Sequence, residues 1–281
     1  MNHRHPRSLR VASLARLATV LLARLPARLP ALLLALLLAL PLLTSLPSSA
    51  GNLQVAPILL EFANSQPSQT LWLTNSGTEA LRAQVRVQHW AQQDGQEHQQ
   101  PSDGLLASPP LMDIGPGQSQ LVRIVQPQPG RHADEQAFRL TIDEVPTATG
   151  SASSSLRFLL RYSIPVFVLP TGATPQLERT GKRLHTDATQ LQGHWQASNG
   201  QARLVLHNHG VQRIRISQLS WIPTSGPAIE ITPGLLGYVL AGQQMRWTLP
   251  LPGPLPADGF LHARLNDDVD PQALPQVAAE H

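Results

Sequence analysis

Residues 153–170 carry the sequence SSSLRFLLRYSIPVFVLP, which has the alternation of a long β-strand. Successive strand residues point to opposite faces of a sheet. One predicted face carries Leu156, Phe158, Leu160, Tyr162 and Ile164, and the other carries Arg157, Leu159, Arg161 and Ser163. Small residues precede the strand and Pro170 ends it, which favours a place at a sheet edge. Unpaired backbone groups beside apolar side chains recruit other chains, so the predicted role of this strand is to bind another chain.

Residues 1–50 are predicted to be a secretory signal peptide. Six arginines and no acidic residue precede an apolar run at residues 31–43, and Ser48 and Ala50 form a small-x-small cleavage site. A membrane anchor is the alternative, but 13 residues are few for a span and Pro41 interrupts them. The mature chain is therefore expected to begin at residue 51 and to have no stable membrane insertion.

Charge and cysteine content exclude several classes of protein. The whole chain has a formal charge of +3, but removing six of its 21 basic residues leaves 15 against 18 acidic residues, a charge of −3. No basic face remains that would favour a nucleic-acid partner. The absence of cysteine excludes disulfides and thiolate metal sites, and it is compatible with an oxidising compartment.

Short alternating runs separated by turn residues extend over the rest of the chain. In the first half they are residues 53–62, 69–77, 81–90, 120–127, 136–146 and 153–170. In the second half they are residues 194–198, 202–210, 212–223, 230–242, 244–252 and 259–267. This rhythm is typical of antiparallel sandwiches. The predicted fold is all-β, with two immunoglobulin-like β-sandwich domains at residues 51–170 and 171–281, and Trp72 and Trp90 are expected in the sandwich core.

Motifs of enzymes are weak in this sequence. His207 and His209 would share one face of a strand and could form a metal pair, but no third ligand lies nearby, so a surface pair is the favoured interpretation. The chain has no G-x-S-x-G motif and no phosphate loop. A protein without catalytic residues, bound metal or cofactor is therefore predicted.

Six segments, taken in order, carry a family resemblance. They are VAPILLEF at 55–62, LTNSG at 73–77, VQHW at 87–90, SPPLMDIGPGQSQLVRI at 108–124, EQAFRLTIDEVP at 135–146 and LRFLLRYSIPVFVLP at 156–170. Their order and spacing resemble the PapD-like periplasmic pilus-assembly (fimbrial) chaperones. The RYSIPVFV ending resembles most the spore-coat-U-like, archaic branch of that family. LVLHNHG at 204–210 and GYVLAGQQMRWTLP at 237–250 match the second domain of these chaperones more loosely.

The resemblance implies a periplasmic chaperone that binds pilin subunits and delivers them to an outer-membrane usher. Such a chaperone lends a strand to a subunit that lacks one, the recognition mode called donor-strand complementation. The donor strand would be residues 156–169, with Leu156, Phe158, Leu160 and Tyr162 as the subunit-binding side chains. The same strand is a candidate surface for a self-capping dimer. Residues 166–168 are expected to remain in the chaperone's own core.

Two features of the better-known relatives are missing. Those relatives hold the subunit's terminal carboxylate with a basic pair, but the matching positions here are Leu59 and Pro165. The candidate replacement anchors are Arg157, Arg161 and Arg139, because arginine can bind a carboxylate bidentately. The family's interdomain ion pair would involve Glu135 and an acidic residue near Asp267 or Asp268, yet its expected arginine falls at Leu169. Another contact is therefore expected to set the domain orientation.

A second class of function also fits the predicted fold. A secreted two-domain β-sandwich adhesin or binding module would show the same strands without any chaperone activity. An outer-membrane usher gene and genes for small secreted subunits beside this one would favour the chaperone.

Overall fold

The computed structural model describes residues 53–146, 159–175, 186–274 and 277–279. Regular structure in these residues is β-strand, apart from one 3-10 turn at Ala188–Gln190. Among the described residues no helix is long and apolar enough to cross a membrane. The strands form four sheets, two in each half of this part of the chain.

In the described residues, the N-terminal sandwich has ten strands. They are β1 (Leu53–Ala56), β2 (Leu60–Phe62), β3 (Ser68–Asn75), β4 (Leu81–Gln93), β5 (Gln96–Pro101), β6 (Leu106–Ser108), β7 (Leu111–Ile114), β8 (Ser119–Val125), β9 (Gln136–Val145) and β10 (Arg161–Val168). Sheet 1 has the order β1-β3-β8-β6, and sheet 2 has the order β2-β10-β9-β4-β5, with β7 also paired to β4. Alternate apolar residues of both sheets point inward and form one buried core.

The first predicted strand is two strands in the structure. β1 pairs with β3 in sheet 1, whereas β2 pairs in parallel with β10 in sheet 2. The cis peptide bond Ala56–Pro57 lies between them. Both halves are apolar, so the alternation did not reveal the change of sheet, although the proline marks it. The chain thus crosses from sheet 1 to sheet 2 between β1 and β2.

The C-terminal sandwich contains the remaining eight strands. They are β11 (Leu191–Ser198), β12 (Gln201–Asn208), β13 (Ile214–Pro223), β14 (Ile229–Val239), β15 (Gln244–Pro250), β16 (Gly259–Leu265), β17 (Gln272–Ala273) and β18 (Val277–Ala279). Sheet 3 has the order β15-β12-β11-β18 and sheet 4 the order β14-β13-β16-β17. Its core includes Trp195 and Trp221, whose ring centroids are 4.8 Å apart. The predicted class, all-β with two immunoglobulin-like sandwiches, is confirmed, and the boundary at residue 170 stays a prediction.

One prediction about the core is wrong. Trp72 lies between Leu71 and Leu73, which are both fully buried, so strand alternation turns the indole outward and leaves it 46% exposed. Trp90 is buried, but outside the N-terminal core. It packs with Phe167 and Tyr238 in a separate cluster where the two sandwiches meet.

Polar contacts join the sandwiches around this aromatic cluster. The amide of Gln92 on β4 donates to the Tyr238 carbonyl at 2.8 Å and accepts from the Leu240 N–H at 3.0 Å. The β4–β5 turn contributes another contact, because the Arg246 N–H donates to the Gly95 carbonyl at 3.1 Å. Buried polar groups are held firmly when all their partners are present. These bonds therefore help to set the angle between the sandwiches.

An arginine from the C-terminal sandwich provides the ion pair that the sequence left unassigned. Arg213, just before β13, binds the carboxylates of Glu61 on β2 and Glu135 just before β9. Its Nη1 atom is 2.5 Å from the Glu135 carboxylate, and its guanidinium carbon lies 3.6 Å from the Phe167 ring centroid. Leu169, where the relatives' arginine was expected, is fully buried. Glu135 thus keeps a role between the sandwiches with a different partner.

Candidate functional site along strand β10

Strand β10 has neighbours on both sides along only part of its length. β9 pairs antiparallel with β10 over residues 161–168, whereas β2 pairs with residues 166–168 only. Within the described residues no strand pairs with the outer edge of β10 before Val166. The N-terminal half of β10 is thus an open edge.

Hydrogen bonds define which backbone groups lie on that edge. The Leu160 carbonyl accepts from the Glu144 N–H, so even-numbered residues bond toward β9. The Leu169 N–H donates to the Phe62 carbonyl, so odd-numbered residues bond toward the β2 side. Because alternate residues of an antiparallel strand bond to opposite sides, the N–H and C=O groups of Arg161 and Ser163 face the open edge. Pro165 falls on the same side, where its missing N–H removes no bond to β9.

Side chains along β10 change from half-buried to fully enclosed. Leu160 and Tyr162 are half-buried against the N-terminal core, and the Tyr162 hydroxyl donates to the Leu53 carbonyl at 2.5 Å. Leu159 on the other face is 46% exposed. Every residue from Ile164 to Leu169 is buried. As predicted, Val166 and Val168 belong to the N-terminal core, while Phe167 lies in the cluster between the sandwiches.

A cleft of about 500 Å³ lies at the N-terminal end of β10, where residues of β4 and β9 form part of its wall. Its walls include Leu159, Leu160 and two arginines, Arg86 and Arg161, that both pair with Asp143. Partial burial of Asp143 opposes its ionisation, but hydrogen bonds from Arg161 and Arg86 lower its pKa overall. Arg161 is exposed, and its guanidinium already pairs with the Asp143 carboxylate of the same protein.

Arg139, the second candidate anchor in the described residues, has a different environment. It is the register partner of Pro165 on β9, one strand in from the open edge. Its guanidinium carbon lies 3.7 Å from the Trp90 ring centroid, and its closest carboxylate, Glu97, is 3.7 Å away. The Nε atom is buried without a hydrogen-bond partner. Burial lowers the pKa of Arg139, and the Glu97 carboxylate only partly opposes this.

The other predicted site residues, Leu156, Arg157 and Phe158, lie outside the described residues. Sequence reasoning missed the link that Arg213 makes to Glu61 and Glu135. The contact to Glu61 spans 152 positions of the chain, and no local pattern signals it. No group of three or more histidine, cysteine, aspartate or glutamate side chains in the described residues is placed to hold a metal ion.

Solved structures share this fold. The chain is similar to the chaperone–tip adhesion subunit pre-assembly complex CsuC–CsuE from archaic chaperone-usher Csu pili of Acinetobacter baumannii, with 23% identity, coverage of 82% of this chain and 99% of that one, and a TM-score of 0.59. It is also similar to the Salmonella enterica SafA pilin–SafB chaperone complex, with 18% identity, coverage of 80% and 97%, and a TM-score of 0.55. At these identities the likeness shows a common fold.

Sequence comparison agrees with the fold over the N-terminal sandwich. No curated protein sequence matches the chain significantly. Residues 52–174 match the family model described as pili and flagellar-assembly chaperone, PapD N-terminal domain. That range includes both sheets of the N-terminal sandwich and the whole of β10. The PapD-like resemblance is thereby confirmed over residues 52–174, which are similar to the N-terminal domain of the pili and flagellar-assembly chaperones.

Proposed function

We propose that this protein is a periplasmic chaperone that binds pilin subunits by donor-strand complementation and delivers them to an outer-membrane usher. The observation that carries the proposal is the open edge of β10, where the N–H and C=O groups of Arg161 and Ser163 face outward. An incomplete sandwich can use such groups to complete its own sheet. The SafB and CsuC complexes are those of chaperones with pilus subunits, which supports the same partner class here.

The donor segment is the part of the chain that leads into this edge. Leu156, Phe158 and Leu160 alternate with the period of a strand and would fill an apolar groove of the subunit. Burial of three large apolar side chains would contribute about 5 to 9 kcal/mol before the costs of ordering and association. This magnitude suits a complex that is stable and can still pass its subunit on. Residues 164–169, enclosed on both faces, would keep the strand attached to the chaperone.

Nothing in this mechanism needs an enzyme activity or a cofactor. The subunit would be released when a better-fitting strand replaces the chaperone's, so the exchange of strands supplies the driving force. The predicted signal peptide and the match to the family model support a location in the periplasm. A self-capping dimer would use the same edge, and it would have to open before a subunit binds.

Substitutions in the donor segment test the proposal directly. The double variant Leu156→Asp, Phe158→Asp is produced with the secreted subunit encoded beside it, and the soluble subunit that co-purifies is measured. We expect at least a tenfold loss, because each aspartate would place a charge in an apolar groove. Leu160 is left intact because it also packs against the chaperone's own core.

Ser155→Asp is the matched control. It adds an aspartate to the same segment without removing a large apolar side chain, and we expect it to leave subunit capture close to wild type. If the double variant captures as much subunit as the control does, donor-strand insertion is wrong. The secreted adhesin or binding module would then be the better interpretation.

A further inference from the structure

A pair of histidines at the end of β12 forms a compact arrangement far along the chain from the donor strand. The Nδ1 atom of His207 is 2.9 Å from the Nε2 atom of His209, and the ring centroids are 4.1 Å apart with the planes at 89°. The two side chains share a face because they are two positions apart along the strand direction. Both rings reach the surface, His207 being half-buried and His209 exposed.

The backbone between these rings is held in place. Asn208 is fully buried, and its side-chain amide donates to the carbonyls of Gln212 at 2.8 Å and Val239 at 3.0 Å. Its side-chain oxygen accepts from the Gly210 N–H at 2.9 Å. The His209 N–H donates to the Gln190 carbonyl at 2.9 Å. The two imidazoles therefore start from a fixed backbone and need only side-chain rotation to converge on a ligand.

We propose that His207 and His209 form a surface site for a divalent transition-metal ion, Cu²⁺ above all. Two nitrogens that each lie about 2.0 Å from one metal are about 2.8 Å apart at a right angle and about 3.3 Å apart at a tetrahedral angle. The hydrogen bond between the rings already holds the two nitrogens 2.9 Å apart, so a small rotation of each side chain would turn both lone pairs toward one ion. Among the divalent first-row metals copper binds nitrogen ligands most tightly.

Metal binding by the two imidazoles requires the movement of one proton and no redox step. In the free protein one of the two facing nitrogens donates a hydrogen to the other. On metal binding that hydrogen moves to the far nitrogen of the same ring, which leaves two neutral imidazoles with lone pairs for the metal. The metal replaces the hydrogen bond between the rings.

The other coordination positions of the metal would be open. His209 lies on the wall of a surface cleft of about 450 Å³ that also contains Asp187 and Arg213. Within the described residues no third histidine, cysteine or carboxylate completes a metal cluster. Water would therefore fill the remaining positions. The site is expected to bind copper reversibly and to lack the closed shell of a structural metal.

Titration of the untagged full chain with copper sulfate tests the proposal, by calorimetry and by electron paramagnetic resonance. We expect one Cu²⁺ per chain, with a tetragonal spectrum and nitrogen hyperfine structure from two imidazoles. His207→Gln or His209→Gln should weaken binding about tenfold or more, because the second imidazole acts as an intramolecular ligand. Glutamine keeps a polar group at each position.

His98→Gln is the matched control, because His98 is an exposed histidine on β5. This variant should bind copper as the wild type does. The proposal is overturned if copper binds without a defined stoichiometry, or if both histidine variants bind as tightly as the control. A site that prefers Zn²⁺ to Cu²⁺ would also contradict it, since two imidazoles should bind Cu²⁺ more tightly than Zn²⁺.

Discussion

Arg139 is a half-buried cation without a full set of partners. Its Nε atom has no hydrogen-bond acceptor, and its contact with Glu97 is 3.7 Å, too long for a hydrogen bond. A buried guanidinium is stabilised when a carboxylate satisfies its fork of donors. Its register partner is Pro165, which the family resemblance aligns with a basic residue of the better-known relatives. Of the two candidate anchors that the structure describes, Arg139 and Arg161, Arg139 therefore has the greater unused capacity for a subunit's terminal carboxylate.

Arg139→Met separates this role from packing, because methionine keeps an apolar stem over Trp90 while removing the charge. We expect subunit affinity to fall about 10- to 100-fold, as for loss of a hydrogen bond to a charged group. Binding of the purified subunit is measured by calorimetry. Arg123→Met, which removes an exposed arginine from sheet 1, serves as the control and should bind normally.

A subunit whose terminal carboxylate has been amidated completes a double-mutant cycle. Wild-type chaperone should lose affinity for it, whereas Arg139→Met should lose nothing further, since the partner of the carboxylate is already gone. Equal losses in both chaperones would show that the carboxylate binds elsewhere, and Arg161 would be the next residue to test.

Strand β10 shows what alternation in the sequence can and cannot predict. The alternation of Leu160, Tyr162 and Ile164 predicted their common face, and the apolar run after Ile164 predicted enclosure on both faces, because these properties depend on neighbouring residues. The parallel partner β2 was not predicted, since it lies about a hundred positions earlier in the chain. Trp72 was misplaced because its residue type was given more weight than its position between two inward leucines.

The candidate site was likewise predicted only in part from the sequence. The sequence identified the strand and its apolar face, but the order of the sheet determines which edge is open. Glu135 was recognised through the resemblance, whereas its partner Arg213 comes from the other sandwich and could be found only in three dimensions. Contacts that depend on the packing of distant segments are thus the part that the sequence leaves open.

Hydrogen exchange tests the open edge of β10 at the level of single amides. In the free protein the N–H groups of Tyr162 and Ile164, which point toward β9, should exchange slowly, and those of Arg161 and Ser163 should exchange at least tenfold faster. When a subunit binds, Arg161 and Ser163 should become protected. The rates are measured by NMR on the free chaperone and on the complex. Equal rates for the two pairs in the free protein would contradict the assigned edge.

The buried ion-pair cluster that joins the two sandwiches contains one positively charged and two negatively charged side chains. The Arg213 guanidinium pairs with the carboxylates of both Glu61 and Glu135, and all three side chains are at most 10% exposed. Burial raises the pKa of Glu135; Arg213 opposes this shift and the nearby Glu61 adds to it. Removal of the shared cation would leave two buried carboxylates without the guanidinium that balances their charge. Removal of one carboxylate would leave a matched pair, so the two kinds of substitution should differ strongly.

Arg213→Met should lower the free energy of unfolding by about 3 to 5 kcal/mol at neutral pH, the cost of breaking a buried ion pair. Glu135→Gln should cost much less, because the pair of Arg213 with Glu61 remains. Both are measured by urea denaturation followed by fluorescence, with Arg82→Met, which breaks an exposed ion pair, as the control near wild type. Equal losses for the first two variants would show that the excess negative charge has no effect on stability.

A comparison of the wild type with Glu135→Gln also tests how the free energy of unfolding depends on pH. Because the pKa of Glu135 is raised in the folded protein, the folded state takes up this proton at a higher pH than the unfolded state does. Its contribution to stability therefore increases as the pH falls from neutrality, and it is complete below the ordinary carboxyl pKa of about 4.3. Glu135→Gln removes this group, so wild type should gain stability relative to the variant as the pH falls toward that value. A difference between the two proteins that stays constant or changes in the opposite direction would mean that Glu135 is ionised throughout, held by Arg213 despite its burial.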